Sequence, residues 1–229
     1  MYPLLRTFFM ACIVLSAFMT GVVRAAERAG IVEEVQGTAW AQTGAEAPRK
    51  LVKDAVFFVT DRITTEARSS VKLLFDDNTR FSIGNESELV IDRFTYRQAD
   101  QANSFSSRVL KGTFRFVTGL IAREKPEDME VNTTVAVIGI RGTQVIGETT
   151  ATSAVIILLE PEDRSRKSII QVANQFGSVI IDQPGYGTEI PDQYSPPSTP
   201  RRMRLETINN LTRSLQSIQR INIPRPRMP

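Results

Sequence analysis

The sequence predicts an all-β protein, built as a β-solenoid-like stack or a β-sandwich, with an amphipathic helix near its C-terminal end. Short runs of branched and aromatic residues recur roughly every ten residues between residues 30 and 190, and Gly, Asn, Asp and Ser separate them. No segment in that range has a convincing helical period, whereas apolar residues after residue 204 follow one. Both architectures use short strands with glycine at their corners, so this pattern leaves the choice open.

Residues 1–25 have the features of a signal peptide. Arg6 supplies a positive start, Phe8–Val23 is apolar, and Val23-Arg24-Ala25 fits a small-x-small cleavage site. An uncleaved membrane anchor is the alternative, but an apolar run of about 16 residues is shorter than the ~20 that a spanning helix needs. We therefore expect a mature chain that begins near Ala26 and is periplasmic or secreted.

Composition argues against catalysis. The chain has no histidine, which removes the commonest general base, the commonest zinc ligand and the Ser-His-Asp arrangement. Its one cysteine, Cys12, lies in the predicted signal peptide, so we expect neither disulfides nor thiolate metal sites in the mature chain. Glu33 and Glu34 are adjacent on a predicted strand and point to opposite faces. We predict a protein that is not an enzyme and uses no metal or cofactor.

The charge balance argues against nucleic acid as a partner. The chain has 28 basic and 25 acidic residues, and loss of Arg6 and Arg24 with the signal leaves 26 basic residues. A body with almost equal positive and negative charge does not bind phosphate backbones strongly.

The clearest local unit is a β-hairpin around an Asp-Asp-Asn turn at residues 76–78. Apolar positions alternate on both sides of this turn, which predicts one buried face and one face in water. Calcium binding by Asp76 and Asp77 is the alternative, but a calcium site needs six or more oxygens, and Asx-rich turns are commoner. The alternating residues are Val71, Leu73 and Phe75, then Thr79, Phe81 and Ile83.

Other strands are predicted from the same composition, and aromatic side chains at alternating positions are expected in the core. Burial is the expectation for Trp40 as well, and an exposed Trp40 is the alternative in which it lines a binding groove. The predicted strands are Gly30–Val35, Thr38–Gln42, Ala55–Val59, Glu88–Asp92, Phe105–Leu110, Thr113–Leu120, Thr134–Ile140, Thr143–Glu148, Ala154–Glu160, Lys167–Val172 and Ser178–Asp182.

A Gly-Thr pair recurs three times, each time after an apolar residue and one spacer. The three pairs are Gly37-Thr38, Gly112-Thr113 and Gly142-Thr143. Glycine can adopt a positive φ or accept a close backbone neighbour, and threonine favours a new strand. We therefore expect a strand corner at each pair. Arg141, before the third pair, is a candidate for binding carboxylate or phosphate, and its alternative role is an ion pair beside a purely structural turn.

Composition changes after Asp182, where Gly and Pro predict a linker rather than a packed strand. Thr199 can cap a following helix with Pro200 at its first position. We expect a β-domain at residues 26–190, a Pro-rich linker at 191–200, and an Arg-rich amphipathic helix and tail at 201–229. The apolar stripe of this helix is Leu205, Ile208, Leu211, Leu215 and Ile218, and its polar face carries Arg201, Arg202, Arg204, Arg213 and Arg220.

An arginine-rich face opposite an apolar stripe suits an acidic protein surface or an anionic membrane surface. Packing of the helix on the β-domain is equally compatible with the sequence, and so is disorder. The arginines of this face, together with Arg141, are the candidate interaction residues, and an envelope protein is the expected partner.

Several motifs occur in the order and spacing of a FecR domain. They are Gly30-Ile31-Val32, the step Asp61-Arg62-Ile63-Thr64-Thr65, the hairpin at residues 71–79, the element Leu110-Lys111-Gly112-Thr113-Phe114-Arg115, and the run from Val131 to Thr143 that ends in Arg141-Gly142-Thr143. Residues 30–190 therefore resemble this all-β extracytoplasmic module of iron-uptake anti-sigma regulators and of stand-alone exported proteins. The resemblance favours the solenoid-like form.

The chain departs from signalling members of that family. It shows no recognisable sigma-binding segment, membrane helix or transporter-contacting C-terminal domain, so the resemblance implies the fold more than the anti-sigma role. The sequence thus predicts a non-enzymatic periplasmic binding or scaffold module. The alternatives are a sensor that relays a signal to a membrane partner, and a glycan- or small-ligand-binding protein in which Trp40 lines a groove.

Overall fold

The computed structural model describes residues 26–97, 103–161 and 168–216, and most of them lie in β-strands. The predicted signal peptide, Lys167, Ile218 and Arg220 lie outside the described residues. No described helix has the length and apolar composition needed to cross a bilayer.

The elements follow in chain order. They are β1 (Arg28–Gln36), β2 (Ala39–Thr43), β3 (Arg49–Lys50), β4 (Val56–Phe58), β5 (Asp61–Thr65), β6 (Ser70–Phe75), β7 (Arg80–Ile83), β8 (Glu88–Thr95), β9 (Ser104–Val117), α1 (Leu120–Glu124), a 3-10 turn (Pro126–Asp128), β10 (Met129–Thr133), β11 (Val137–Arg141), β12 (Gln144–Thr149), β13 (Ala154–Leu159), β14 (Ile169–Asn174), β15 (Gly177–Ile181), β16 (Tyr186–Ile190), β17 (Arg201–Arg202) and α2 (Leu205–Leu215).

Hydrogen bonding connects these 17 described strands into one sheet that has two layers. The first layer has the order β4-β1-β6-β7-β9-β12-β13-β16-β17. The second has the order β3-β2-β5-β8-β9-β10-β11-β14-β15. Every pair is antiparallel except β9 with β10. The all-β prediction is confirmed, and antiparallel neighbours in two layers match a sandwich more closely than a solenoid.

Strand β9 belongs to both layers. Its first half pairs with β8 in the second layer, and its second half pairs with β7 and β12 in the first. Gly112 lies at the crossing with φ +94°. The sequence predicted two strands, Phe105–Leu110 and Thr113–Leu120, with a corner between them. The corner exists, but the strand continues through it because glycine allows a change of direction without ending the pairing.

Aromatic side chains from both layers form the core. Phe75 of the first layer lies 5.2 Å from Phe94 and 4.8 Å from Phe105 of the second, measured between ring centroids. Phe114 and Phe116 stack with Phe81 in the first layer and are fully buried. The prediction that these rings form the core is confirmed, because alternate positions of each strand point inward.

The hairpin predicted around residues 76–78 is strands β6 and β7, with Leu73 opposite Phe81. Asp77 is fully buried in its turn and accepts hydrogen bonds from the Thr79 amide at 2.9 Å and the Thr79 hydroxyl at 2.8 Å. The Leu120 amide donates to the Asp77 carbonyl oxygen at 2.8 Å. The turn is therefore bonded to the start of α1, which agrees with the structural role predicted for it.

Several sequence predictions were wrong in detail. Helix α1 and strand β10 were not predicted, and the strand expected at Thr134–Ile140 begins only at Val137, because the Thr133 amide bonds to the Ala136 carbonyl in a turn. The segment after Asp182 was predicted as a linker, yet Tyr186–Ile190 forms β16 and pairs with β13. Gly187 is required there, since a Cβ would lie 2.5 Å from the Ile156 carbonyl oxygen.

The C-terminal helix also begins later than predicted. Arg201 and Arg202 pair with β16 as strand β17, so helix α2 starts at Leu205, with Arg204 at its N-cap. Thr199 and Pro200 precede the strand and do not cap the helix. Pairing with a sheet edge therefore takes precedence over the local capping signal.

Candidate functional site

At each of the three Gly-Thr pairs a neighbouring hydroxyl group bonds to the threonine backbone, to the amide in two pairs and to the carbonyl in the third. Ser69 Oγ accepts a hydrogen bond from the Thr38 amide at 2.9 Å, and Thr118 Oγ1 accepts one from the Thr143 amide at 2.9 Å. Ser87 Oγ donates to the Thr113 carbonyl at 3.4 Å. Each glycine has a positive φ. The three corners predicted from the repeat are therefore present in the fold.

Arg141 lies at the third corner, at the end of β11, with its side chain exposed. It makes no hydrogen bond or ion pair with any described residue, so the acid expected beside it is not found among them. In the second layer, Arg141 of β11 lies opposite Ile169 of β14. Strand β11 belongs to the second layer, whereas Arg201 and Arg202 lie in β17 of the first.

The C-terminal segment packs against the outer face of the first layer. Met203, Leu211 and Leu215 form a buried cluster with Ile146 of β12 and Ile157 of β13. This cluster is separate from the core between the layers. The helix is therefore packed on the β-domain, one of the arrangements that the sequence allowed.

The C-terminal segment leaves its arginines in solvent: Arg201 and Arg202 are in β17, Arg204 is the N-cap of α2, and Arg213 is on the helix. Arg201 pairs with Glu189 at 2.7 Å, and Arg213 donates to Asn210 of its own helix at 2.7 Å. Arg202 and Arg204 are exposed and have no ion-pair partner among the described residues. Four of the five predicted arginines are therefore accessible, but they do not form one helical face: Arg201, Arg202 and Arg204 lie at the β17 edge of the first layer, Arg213 lies next to Ser214, which contacts β9, and Arg220 is not described.

A groove of about 460 Å³ lies on the second layer around Trp40. Trp40 is half-buried, and its indole Nε1 donates to Glu66 Oε1 at 2.9 Å. Arg62 of β5 contributes a cation that pairs with Glu88 of β8. The residues lining the groove are Trp40, Ala41, Gln42, Pro48, Arg62 and Thr64.

Sequence reasoning gave a groove at Trp40 as an alternative but did not identify the other residues that line it. Gln42 and Arg62 lie opposite each other in the register of β2 and β5, as do Trp40 and Thr64. Alternation on a strand therefore places all four on one face. The sequence does not show which residues of β2 and β5 lie opposite each other, because a 17-residue connection separates the two strands.

The Asp61 step is structural. Asp61 is fully buried, pairs with Arg49, and accepts hydrogen bonds from the Thr43 hydroxyl at 2.5 Å and the Phe58 amide at 2.7 Å. The Arg49 guanidinium also lies 5.1 Å from the centre of the Phe58 ring. All four hydrogen-bonding positions of this carboxylate are thus occupied by its own chain.

A second cleft, of about 330 Å³, is lined by both acids and bases. It contains Arg93 and Lys125 beside Glu127, Asp128 and Glu130. Across the described residues, no three Asp, Glu, His or Cys side chains converge on a point that a metal ion can occupy. The mixed charges of this cleft favour ion pairing over a catalytic carboxylate pair.

The chain thus forms a two-layer β-domain with a docked C-terminal helix, and exposed arginines lie before and on that helix. Residues 61–161 match the family model described as FecR protein. This match includes the Asp61 step, the β6–β7 hairpin, β9 and the Arg141-Gly142-Thr143 corner, and it confirms over that range the resemblance drawn from those motifs.

Two crystal structures of a candidate anti-sigma factor from Parabacteroides distasonis ATCC 8503 are similar to this chain, each with a TM-score of 0.49 and 9% sequence identity. The similarity covers 65% of this chain and 62% of that one, so the chain spans less than two thirds of its length. A comparison with curated proteins gave no match.

Proposed function

We propose that this chain is a periplasmic FecR-type binding module that recruits an acidic protein partner through the exposed arginines of its C-terminal segment. The observation that carries the proposal is the docking of α2, which buries Leu211 and Leu215 and leaves Arg202 and Arg204 in solvent. Pairing of β17 with β16 and docking of α2 hold the backbone on both sides of these two arginines, so their positions on the surface are set by the fold. A partner's carboxylates then meet guanidinium groups whose backbone is already ordered, which lowers the entropy cost of binding.

The family match favours a regulatory role for this binding over a purely mechanical one. FecR proteins, as the resemblance implies, act in signalling across the bacterial envelope. The finer assignment is a module that changes the state of a membrane or envelope regulator when it binds. The chain's own arginines then provide attraction and orientation rather than chemistry.

The direct test compares charge-neutral substitutions, because the structure argues against truncation. Removal of the segment after Asp192 deletes β17 and α2 and exposes Ile146 and Ile157, which are fully buried. Arg202→Gln with Arg204→Gln instead removes two exposed charges and leaves the buried cluster intact.

The matched control is Arg28→Gln with Arg68→Gln, which removes two exposed arginines from other parts of the domain. The measurement is crosslinking in living cells followed by identification of the attached proteins. We expect one acidic envelope protein to attach to the wild type and the control and to be lost with Arg202→Gln and Arg204→Gln. Equal attachment of that protein to both double variants would rule out the arginine surface.

Periplasmic location has its own test. The expected signal peptide ends at Ala25, so protein recovered from the periplasm should have Ala26 as its first residue on N-terminal sequencing. A first residue upstream of Ala26, with the chain retained on membranes, is the result that an uncleaved anchor gives.

A second candidate function is binding of a glycan in the Trp40 groove. Sugar rings pack against the flat face of an indole, and the polar groups of Gln42, Arg62 and Thr64 line the same groove. Trp40 is the only tryptophan of the chain, so its fluorescence reports on this groove alone.

The probe is a soluble tetramer of N-acetylglucosamine. Binding predicts a saturable change in tryptophan emission that disappears when Thr64→Lys fills the groove, whereas the control Thr150→Lys on an exposed loop keeps the change. No change with this probe excludes amino-sugar oligomers as the ligand of the groove.

A further inference from the structure

Strand β15 is an unprotected edge of the second layer. Within the described residues it pairs with β14 alone, so the N–H and C=O groups along its outer side have no backbone partner there. Its sequence, Gly177–Ile181, contains no charge and no proline. The other terminal strands are shorter, since β3 and β17 have two residues each, all basic, and β4 has three. Short or charged edges resist pairing with another chain, and β15 has neither protection.

Exposed apolar side chains concentrate around this edge. Ile180 is 62% exposed on β15, and Phe176, in the β14–β15 turn, is 44% exposed. Tyr194 lies on a loop held against the same turn, because Asn174 Nδ2 donates to the Ser195 carbonyl at 2.8 Å. With Val137 of β11 in the same layer, four of the six large exposed hydrophobic residues in the described part of the chain are found here.

The intramolecular neighbours of Ile180 do not cover it. In the register of the second layer, Ile180 lies opposite Gln171 of β14, and Gln171 lies opposite Gly139 of β11. A polar side chain and a glycine offer little apolar surface. No described residue therefore covers Ile180 on this face, and its burial requires a side chain from beyond the described part of the chain, next to β15.

The sequence around Ser178 is self-complementary in its apolar residues. Phe176, in the turn directly before β15, and Ile180, on the strand, each lie two residues from Ser178. When two copies of β15 pair antiparallel about Ser178, Gly177 of each copy comes opposite Val179 of the other, and the turn that carries Phe176 comes beside Ile180 of the other copy. The two-fold axis repeats this apolar contact.

We propose that β15 is a dimerisation edge, at which a second copy of this chain pairs antiparallel about Ser178 and extends the second layer across both copies. An uncharged strand fits an identical uncharged strand without leaving any ion unpaired. The surface is separate from the arginines of the proposed function, so failure of one proposal leaves the other standing.

The first test places a cysteine on the two-fold axis. A chain that carries Cys12→Ser and Ser178→Cys has one cysteine, and cross-strand neighbours are close enough for a disulfide. We expect a disulfide-linked dimer on a non-reducing gel after mild oxidation of cells that express the chain with its own N-terminus. The matched control is Cys12→Ser with Asn85→Cys, whose exposed cysteine in the β7–β8 turn should stay monomeric. A dimer from both variants, or from neither, contradicts the proposal.

The second test measures the mass of the purified protein in solution by light scattering. We expect a dimer for the wild type, a monomer for Ile180→Lys, and a dimer for the control Val52→Lys, which changes a residue of similar exposure in another part of the domain. Far-UV circular dichroism should be the same for all three, because both side chains are exposed. A monomeric wild type, or a dimeric Ile180→Lys, overturns the proposal.

Discussion

Ser214 of the C-terminal helix donates a hydrogen bond to Thr113 Oγ1 of β9 at 2.8 Å, across 101 residues of sequence. A Cβ atom at Gly84 would lie only 2.6 Å from the Ser214 carbonyl oxygen, so this position requires glycine. Gly84, directly after β7, and the Thr113 hydroxyl on β9 thus contact the last turn of the helix. The contact links the C-terminal segment to the central strand that the two layers share.

The first prediction concerns this docking. Leu211→Ala removes a buried side chain from the cluster with Ile146 and Ile157, and we expect a loss of about 2–3 kcal/mol in the free energy of unfolding in urea. The control is Leu205→Ala on the same helix, whose side chain is 75% exposed and whose loss should cost less than about 0.5 kcal/mol. Equal small effects of both changes would show that the helix contributes little to stability.

The second prediction concerns the pair of the fully buried Asp61 with Arg49, whose side chain is 33% exposed. Asp61→Asn keeps the shape of the side chain but replaces one accepting oxygen by an NH2 group that faces hydrogen-bond donors, so we expect a loss of about 2–3 kcal/mol. Asp76→Asn is the control, because its pair with Arg28 is exposed and should be worth less than about 1 kcal/mol. Urea denaturation of the two variants measures both values, and similar losses would contradict a structural role for Asp61.

The sequence predicted the all-β class because alternation is a local property. Val71, Leu73 and Phe75 point inward whatever strand lies beside them. Layer order and register are not local, and this is why Arg62 and Thr64 of β5, which line the groove beside Trp40, were not predicted. Strand β16 was missed because Gly187, taken as a linker residue, instead admits Met203 and the Ile156 carbonyl from two neighbouring elements. Helical spacing predicted the apolar positions Leu211 and Leu215 of the C-terminal helix, which are buried, but it wrongly placed Arg201 and Arg202 on that helix. The surface on which the helix docks could not be predicted.

The third prediction separates two corners of the Gly-Thr repeat. At Gly112, a Cβ would lie 2.7 Å from Ser87 Cα as well as adopting a positive φ, so Gly112→Ala forces the backbone to move. At Gly142 the φ is +51° but no atom lies within 4 Å of a Cβ. We expect thermal unfolding to show a loss of about 3 kcal/mol for Gly112→Ala and about 1 kcal/mol for Gly142→Ala. The reverse order would mean that backbone conformation, rather than space, decides the cost.

The fourth prediction concerns the pH dependence of stability. Burial raises the pKa of Asp77 above its ordinary value of 3.8, although hydrogen bonds from Thr79 and Ile121 oppose the shift. The folded protein therefore holds this proton more tightly than the unfolded chain does. The stability that Asp77 contributes in this way is fully present below pH 3.8 and is lost as the pH rises through the higher pKa of the folded state.

Asp77→Asn removes this titration, so the stability of the wild type relative to Asp77→Asn should fall as the pH increases from about 3 to about 7. Urea denaturation at several pH values measures the difference. Asn78→Ser is the control in the same turn: Asn78 has a φ of +66°, so its replacement costs stability, but both residues are uncharged and the cost should not depend on pH. A relative stability that rises with pH for Asp77→Asn would mean that the hydrogen bonds of Thr79 and Ile121 to the carboxylate outweigh its burial.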